Sequence, residues 1–307
     1  MNKDEFVIFI MGPTASGKTD LAIKLYNKLN AEIISVDSAM VYKGMDIGTA
    51  KPDKALLEQV PHHLIDICDP LDAYSAANFC KDAKALIETI FAKNRIPILV
   101  GGTGLYFRAL ENGLSSLPQA DALVRQRLEQ LGKEIGWPNM HKRLAEVDAE
   151  AAERIKPNDP QRIQRALEVF EITGQSLTEL QKDNQAIPFE YPIKKFIMAP
   201  EDRSVLHERI KQRYIKMLED GLIDEVENFY SNDAFHASLP SMRMVGYRQV
   251  WQYLTGELAY DEMVDRGIIA TRQLAKRQLT WCRSENSAIW LNSESSEIFN
   301  EILKNVM

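Results

Sequence analysis

Phe6-Val7-Ile8-Phe9-Ile10-Met11-Gly12-Pro13-Thr14-Ala15-Ser16-Gly17-Lys18-Thr19 is the stretch that decides the fold. Six apolar residues stop abruptly at a glycine, and Gly12 to Thr19 match G-x-x-x-x-G-K-[ST] in full. Leu21, Ala22, Leu25 and Leu29 follow at helical spacing. A buried strand, a glycine-bounded turn and a helix therefore come in the order that a phosphate loop requires. Glycines let the backbone curl until successive N–H groups converge on phosphate oxygens. The helix N-terminus adds the positive end of its dipole. Lys18 contributes a mobile cation and Thr19 a hydroxyl suited to Mg2+. Such a loop binds a chain of phosphates, with or without a nucleoside attached.

Outward from this loop, apolar runs alternate with helical patterns. Strands are expected over 6–11, 32–36, 63–67 and 96–100, and helices over 19–29 and 76–93. Alternation of this kind implies an α/β fold, a parallel sheet covered by helices on both faces. From residue 118 to 188 the strand signal disappears. Helices are expected over 122–131, 139–147, 149–155 and 160–173, broken at Gly136-Trp137-Pro138 and Pro157-Asn158-Asp159-Pro160. Residues 119–189 read as an all-helical insertion into a core made of 1–118 and 190–307. A strand returns at 195–198, then helices over 205–218, 245–254 and 260–283, and a last strand at 288–291.

The 307 residues are 45% hydrophobic and 26% charged, an ordinary globular balance. Three cysteines, Cys68, Cys80 and Cys282, lie far apart in no metal spacing, which fits a reduced, cytoplasmic protein. No stretch approaches a membrane span, and the first apolar run is too short for a signal peptide. The net charge of −7 argues against indiscriminate nucleic-acid binding. Local basic runs stand out against it. Arg266, Arg272, Lys276, Arg277 and Arg283 share a segment without acids. Arg203, Arg209, Lys211, Arg213 and Lys216 form a second run against one Glu208, and Arg243 and Arg248 flank Met244-Val245-Gly246-Tyr247. Each run reads either as a solvated helix face or as a surface that tracks the phosphates of a nucleic acid.

A nucleoside triphosphatase usually carries an acidic residue at a second strand end. Here the strand over 96–100 runs into Gly101-Gly102-Thr103. The one carboxylate at a strand end near the loop is Asp37, which has three readings: a Mg2+ ligand, a general base, or a helix N-cap. Thr103 reads as an N-cap or as a hydroxyl in the crevice. His62 and His63 read as a loop or strand start, since a metal site would need more ligands.

Several blocks carry a resemblance. Gly12 to Thr19, residues 34–52 (Ile-Ser-Val-Asp-Ser-Ala-Met-Val-Tyr-Lys-Gly-Met-Asp-Ile-Gly-Thr-Ala-Lys-Pro), 69–76, 99–106, 158–169, 244–249 and 271–281 run almost end to end. Together they resemble the bacterial tRNA dimethylallyltransferases. That resemblance implies transfer of a dimethylallyl group from dimethylallyl diphosphate to N6 of adenine 37, 3′ of the anticodon, in tRNAs reading codons that begin with U. It implies a monomer with Mg2+ as cofactor, an anticodon stem-loop as partner, and no obligate protein partner. Gly12, Pro13, Thr14, Ala15, Ser16, Gly17, Lys18, Thr19 and Arg213 would hold the diphosphate, and Asp37 would be the base. For tRNA contact it implies Asp37, Ser38, Ala39, Met40 and Thr103 from the core, with Arg125, Gln161, Arg162, Ile163, Gln164 and Arg165 from the insertion. It adds Arg243, Met244, Val245, Gly246, Tyr247 and Arg248, then Lys276, Arg277, Gln278, Leu279, Thr280, Trp281, Cys282 and Arg283. Gly104 stands where some relatives carry a larger residue. A phosphate-loop kinase acting on a nucleoside or metabolite is the alternative, and a nucleotide-switched RNA-binding module is another.

Overall fold

The structure, a computed structural model, describes residues 5–115, 117–183, 187–285 and 287–306. Its elements in chain order are β1 (Val7–Met11), α1 (Lys18–Lys28), β2 (Ala31–Val36), α2 (Lys54–Gln59), β3 (His62–His63), α3 (Ala76–Ala92), β4 (Ile96–Gly101) and α4 (Gly104–Asn112). Then come α5 (Ala122–Ile135), α6 (Trp137–Val147), α7 (Ala149–Arg154), α8 (Pro160–Thr173) and α9 (Leu177–Asp183). The chain ends with β5 (Ile193–Ala199), α10 (Arg203–Glu219), α11 (Leu222–Tyr230), α12 (Tyr247–Leu254), α13 (Tyr260–Cys282), β6 (Ile289–Asn292) and α14 (Ile298–Val306).

The six strands form one sheet in the order β3-β2-β4-β1-β5-β6, every pair parallel. All five residues of β1 are buried, which explains its unbroken apolar run. On one face Ile8, Ile10, Ile33 and Ile98 pack against Leu21 and Leu25 of α1 and Ile298 and Ile302 of α14. On the other, the Phe9 ring meets Phe107 of α4 at 4.9 Å between centroids. A second core gathers Val41, Tyr42 and Met45 with Tyr214, Val226, Tyr247 and Trp251. This core ties the loop after β2 to the helices that follow β5.

The chain divides into two compact units, the α/β unit and an all-helical one spanning Glu111–Phe189. The helical unit closes on itself where Phe189 N–H donates to the Glu111 carbonyl at 2.9 Å. Leu128, Met140, Leu144, Ile163 and Leu167 form its core.

Some expectations need correction. The strand expected over 63–67 is only His62–His63, because Leu64 and Asp66 adopt φ of 65° and 56° and turn the chain away. Helix α6 begins at Trp137, so Gly136 alone makes the break. Five helices, α2, α4, α9, α11 and α14, go beyond the sequence reading; at six to nine residues they show too few turns for a clear period.

Candidate active site

The phosphate loop leaves β1 at the carboxyl end of the sheet, where ligands of such sheets bind. Gly12 has φ 148°, and a Cβ there would fall 2.2 Å from the Met198 carbonyl. Gly17 opens α1 at φ 86° without any side-chain cap. The first-turn amides of α1 are therefore left for an anion. Lys18 Nζ folds back to 2.5 Å from the Pro13 carbonyl and 3.4 Å from Ser16 Oγ. Burial, helped by the nearby Arg213 guanidinium, pulls the Lys18 ammonium down to about 8. Burial also lowers Arg213, which Asp37 and then Asp20 oppose. Arg213 makes no hydrogen bond or ion pair among the described residues.

Asp37 follows β2, but no helix starts there, so the N-cap reading is corrected. Its Oδ1 accepts from Ala39 N–H at 2.8 Å and Met40 N–H at 3.4 Å, which holds a turn. Thr103 takes both places: it stands directly before α4, its carbonyl accepting Tyr106 N–H at 3.0 Å, and its side chain borders the crevice. Its Oγ1 accepts Ser38 N–H at 3.1 Å and joins the ends of β2 and β4.

Two adjoining cavities meet at these groups. One, of about 320 Å³, is bounded by the phosphate loop with Ser35, Asp37, Met40, Thr49, His62, Arg213 and Gln278. The other, of about 490 Å³, adds apolar walls from Leu105, Met217, Val245, Leu274 and Trp281. Its rim carries Ser38, Ala39, Thr103, Arg243, Met244, Gly246 and Arg277. Asp37, Arg213 and Gln278 border both. A polar compartment for phosphates thus opens into an apolar one, with a carboxylate between them. The Trp281 ring stacks on Phe107 at 5.9 Å. A Cβ at Gly104 would fall 2.3 Å from that ring, so the glycine makes room for Trp281.

Three groups hold this site rigid: Glu225 and Lys51, which the sequence reading missed, and Gln278, which it expected at RNA and which the structure places as a brace. Gln278 Oε1 accepts Thr14 N–H at 2.8 Å, and its Nε2 donates to the Gly102 carbonyl at 3.1 Å, bracing the loop against β4. Glu225 accepts the N–H groups of Asp46, Ile47 and Gly48 at 2.9, 2.7 and 3.1 Å, and the Tyr247 hydroxyl. Lys51 Nζ binds the Tyr42 carbonyl, Asp46 and Asp66. The distinctive block over 34–52 is therefore a loop clamped into one shape.

Four residues expected at RNA are corrected by burial. Ile163 and Tyr247 are fully buried, Cys282 is 1% exposed, and Leu279 packs with Leu206 and Ile210. Each serves packing. In the helical unit Gln161 and Arg162 are exposed, while Gln164 binds the Arg125 carbonyl. Arg125 and Arg165 are engaged by Glu168. Arg248, Lys276, Thr280 and Arg283 are exposed. Lys276 and Arg283 join Arg203, His207 and Arg272 around a groove of about 350 Å³ between α10 and α13, floored by Leu206, Ile269 and Leu279.

Among the described residues no group of three His, Cys, Asp or Glu side chains could hold a metal by itself. Mg2+ is commonly held instead by substrate phosphates and waters with one or two protein groups. The Thr19 hydroxyl, free of any partner among the described residues, fits that arrangement.

The IPP transferase model matches residues 40–285, and the isopentenyl transferase model matches 6–69. A tRNA dimethylallyltransferase of Ruthia magnifica subsp. Calyptogena magnifica is 55% identical over 289 residues, covering 94% of each chain. The full-length tRNA isopentenylpyrophosphate transferase of Bacillus halodurans is 36% identical with a TM-score of 0.72, over 99% of this chain and 97% of that one. A eukaryotic dimethylallyltransferase solved acting on tRNA is 26% identical with a TM-score of 0.82, over 98% of this chain and 78% of that one. These likenesses favour prenyl transfer over the kinase reading. With its phosphate loop opening into an apolar chamber and its family model spanning 40–285, the chain belongs to the IPP transferase family, the tRNA dimethylallyltransferases.

Proposed function

We propose that this enzyme transfers the dimethylallyl group of dimethylallyl diphosphate to N6 of adenine 37, 3′ of the anticodon, in tRNAs reading codons that begin with U. The products are N6-isopentenyladenosine and diphosphate. The observation that carries this reading is the pair of cavities sharing Asp37 and Arg213. The polar one suits a diphosphate, and the apolar one suits a five-carbon chain beside a planar base.

The N6 lone pair is delocalised into the ring, so the amine is a poor nucleophile. In the reaction the N6–C bond forms, the allylic C–O bond breaks, and one proton must leave N6. Asp37 stands between the compartments to take that proton. Lys18, Arg213 and the loop amides stabilise charge as it grows on the departing diphosphate. Met217 and Leu274 give the chamber an apolar wall that would keep water from the allylic carbon. The Thr19 hydroxyl and the diphosphate would hold Mg2+, which when bound supplies further stabilisation of the leaving group. The target base must leave its stack to reach the chamber. Ser38, Ala39, Met40, Thr103, Arg243, Met244, Val245, Gly246, Arg248, Lys276, Arg277, Trp281 and Arg283 are exposed or line a cavity or groove where RNA would be met. Among the described residues no helix is long and apolar enough to cross a membrane, and the reading is of a cytoplasmic monomer.

The test is transfer of radiolabel from dimethylallyl diphosphate, with Mg2+, to an unmodified tRNA bearing adenine 37. Label is expected in the tRNA and lost when that adenine is guanine. In the same assay Asp37→Asn keeps the turn acceptor and should reduce turnover about 10²–10⁴-fold with tRNA affinity unchanged. ATP consumption without label would return the kinase reading, and full turnover in Asp37→Asn would remove Asp37 as the base.

A further inference from the structure

Beneath the phosphate loop lies a polar pair that the chemistry above leaves unused. His62 of β3 is level with Ile33 of β2, and Ser35, two residues further along β2, shares that face of the sheet. Ser35 is 3% exposed, and its hydroxyl has no hydrogen-bond partner among the described residues. The His62 Nδ1 lies 2.7 Å from the Val60 carbonyl, so that nitrogen carries the proton and Nε2 presents a lone pair. Nε2 is buried and unpartnered. Burial pushes the His62 ring below its usual value, which keeps it neutral. Both side chains border the 320 Å³ cavity together with Lys18, Thr19, Asp37 and Arg213.

Buried polar groups are hydrogen-bonded in folded proteins, so the orphaned His62 Nε2, with the unpartnered Ser35 hydroxyl opening on the same cavity, calls for an occupant. The lone pair on Nε2 selects its chemistry. A phosphate oxygen is an acceptor and would repel it. A cation-bound water is a strong donor with two O–H groups to place, and both Ser35 Oγ and His62 Nε2 can accept from one. We propose that Ser35 and His62 accept hydrogen bonds from waters of the Mg2+ that accompanies the diphosphate, and so set the affinity and position of that ion. This rests on the reading that the cavity takes a diphosphate. It makes the two residues positioning residues, since they touch the water shell and not the reacting atoms.

The test titrates inorganic diphosphate into the enzyme by calorimetry at graded Mg2+ and reads the Mg2+ concentration that gives half of the affinity gain. His62→Asn keeps a donor to the Val60 carbonyl and loses the acceptor at Nε2. His62→Gln places an amide oxygen near the Nε2 position. Ser35→Ala removes the hydroxyl at nearly constant shape. His62→Asn and Ser35→Ala should each raise the Mg2+ requirement about tenfold, the scale of second-shell changes at metal sites. His62→Gln should restore most of it, with the melting temperature unchanged throughout. An unaltered Mg2+ requirement in His62→Asn and Ser35→Ala overturns the proposal. So does equal loss in Asn and Gln with a lowered melting temperature. Absence of diphosphate binding by the unaltered enzyme would instead overturn the reading of the cavity.

Discussion

The helical unit and the pair α10 and α13 are both rich in arginine, yet they use it oppositely. In the helical unit most guanidinium groups are tied down, exposed Arg143 being the exception among the described residues. Arg125 and Arg165 reach Glu168 at 2.8 and 2.7 Å, and Arg127 pairs with Glu171. Glu168 is fully buried. Burial pushes its carboxyl up, but the hydrogen bonds from Arg165 and Arg125 outweigh this and hold it below the usual range. On α10 and α13, by contrast, Lys216 and Arg266 pair with Asp220 and Glu262 within a turn, but Arg203, Arg213, Arg272, Lys276, Arg277 and Arg283 have no acidic partner among the described residues. A cation with an internal anion is structural. A cation without one is available to a ligand anion. Composition alone does not separate the two cases.

The largest effect that could break this comparison is on stability. Glu168→Ala leaves two arginines beside a buried site without their anion. Removing one partner of a fully buried pair costs about 3–5 kcal/mol. Arg125 and Arg165 are 48% and 29% exposed and water can reach them, so the lost charged hydrogen bonds set an expected cost of about 2–3 kcal/mol. Unfolding of the helical unit, followed by denaturant titration or hydrogen exchange, should become easier by that amount. Lys276→Ala on exposed α13 should change stability by less than about 0.5 kcal/mol. Equal effects from both would show that the arginines of the helical unit are no more structural than those of α13.

The next effect is on RNA binding. If the groove between α10 and α13 meets RNA phosphates, Arg272→Gln and Lys276→Gln should each lower the slope of log affinity against log salt. The expected change is about 0.7–0.9 for each phosphate that the variant no longer neutralises, through counterion release. Filter binding of a tRNA across a potassium chloride series reads this directly. An unchanged slope in the double variant would make the groove a solvated face.

Which parts of this site could be read from the sequence follows from how far their partners lie along the chain. Gly12 to Thr19 are legible because strand, loop and helix are contiguous, and the uncapped Gly17 is a local feature. Asp37 is legible as a strand end, but its turn depends on Ala39 and Met40 adopting one geometry. The brace from Gln278 to Thr14 spans 264 positions and the grip of Glu225 on Ile47 spans 178, so no local pattern announces either. Arg125 resembles a phosphate ligand in the sequence because its acid, Glu168, lies 43 residues away. Ile163 and Tyr247 enter the RNA set by block membership, while burial depends on the packed fold. Ser35 shows nothing in sequence and His62 reads only as a loop or strand start, since their interest lies in partners they lack.

The smallest expected effect sharpens the comparison within the site itself. A buried cation without an anion must either stay charged or lose its proton. Arg213 stays charged, because guanidinium does not deprotonate in proteins. Lys18, pulled down to about 8, does titrate near neutrality. Its charge is present below that value and is lost as pH rises through it. Cys282 nearby is pushed up to about 11 by burial and stays a thiol over this range. Affinity for dimethylallyl diphosphate, measured by calorimetry without tRNA, should therefore fall about tenfold between pH 7 and pH 9, as the protonated fraction of Lys18 falls. The ligand has finished its own titration near neutrality and adds little above it. Lys18→Met should bind weakly and show no such fall. A flat profile in the unaltered enzyme would mean that bound diphosphate meets a Lys18 already held charged, and that the loop amides and Arg213 alone set its affinity.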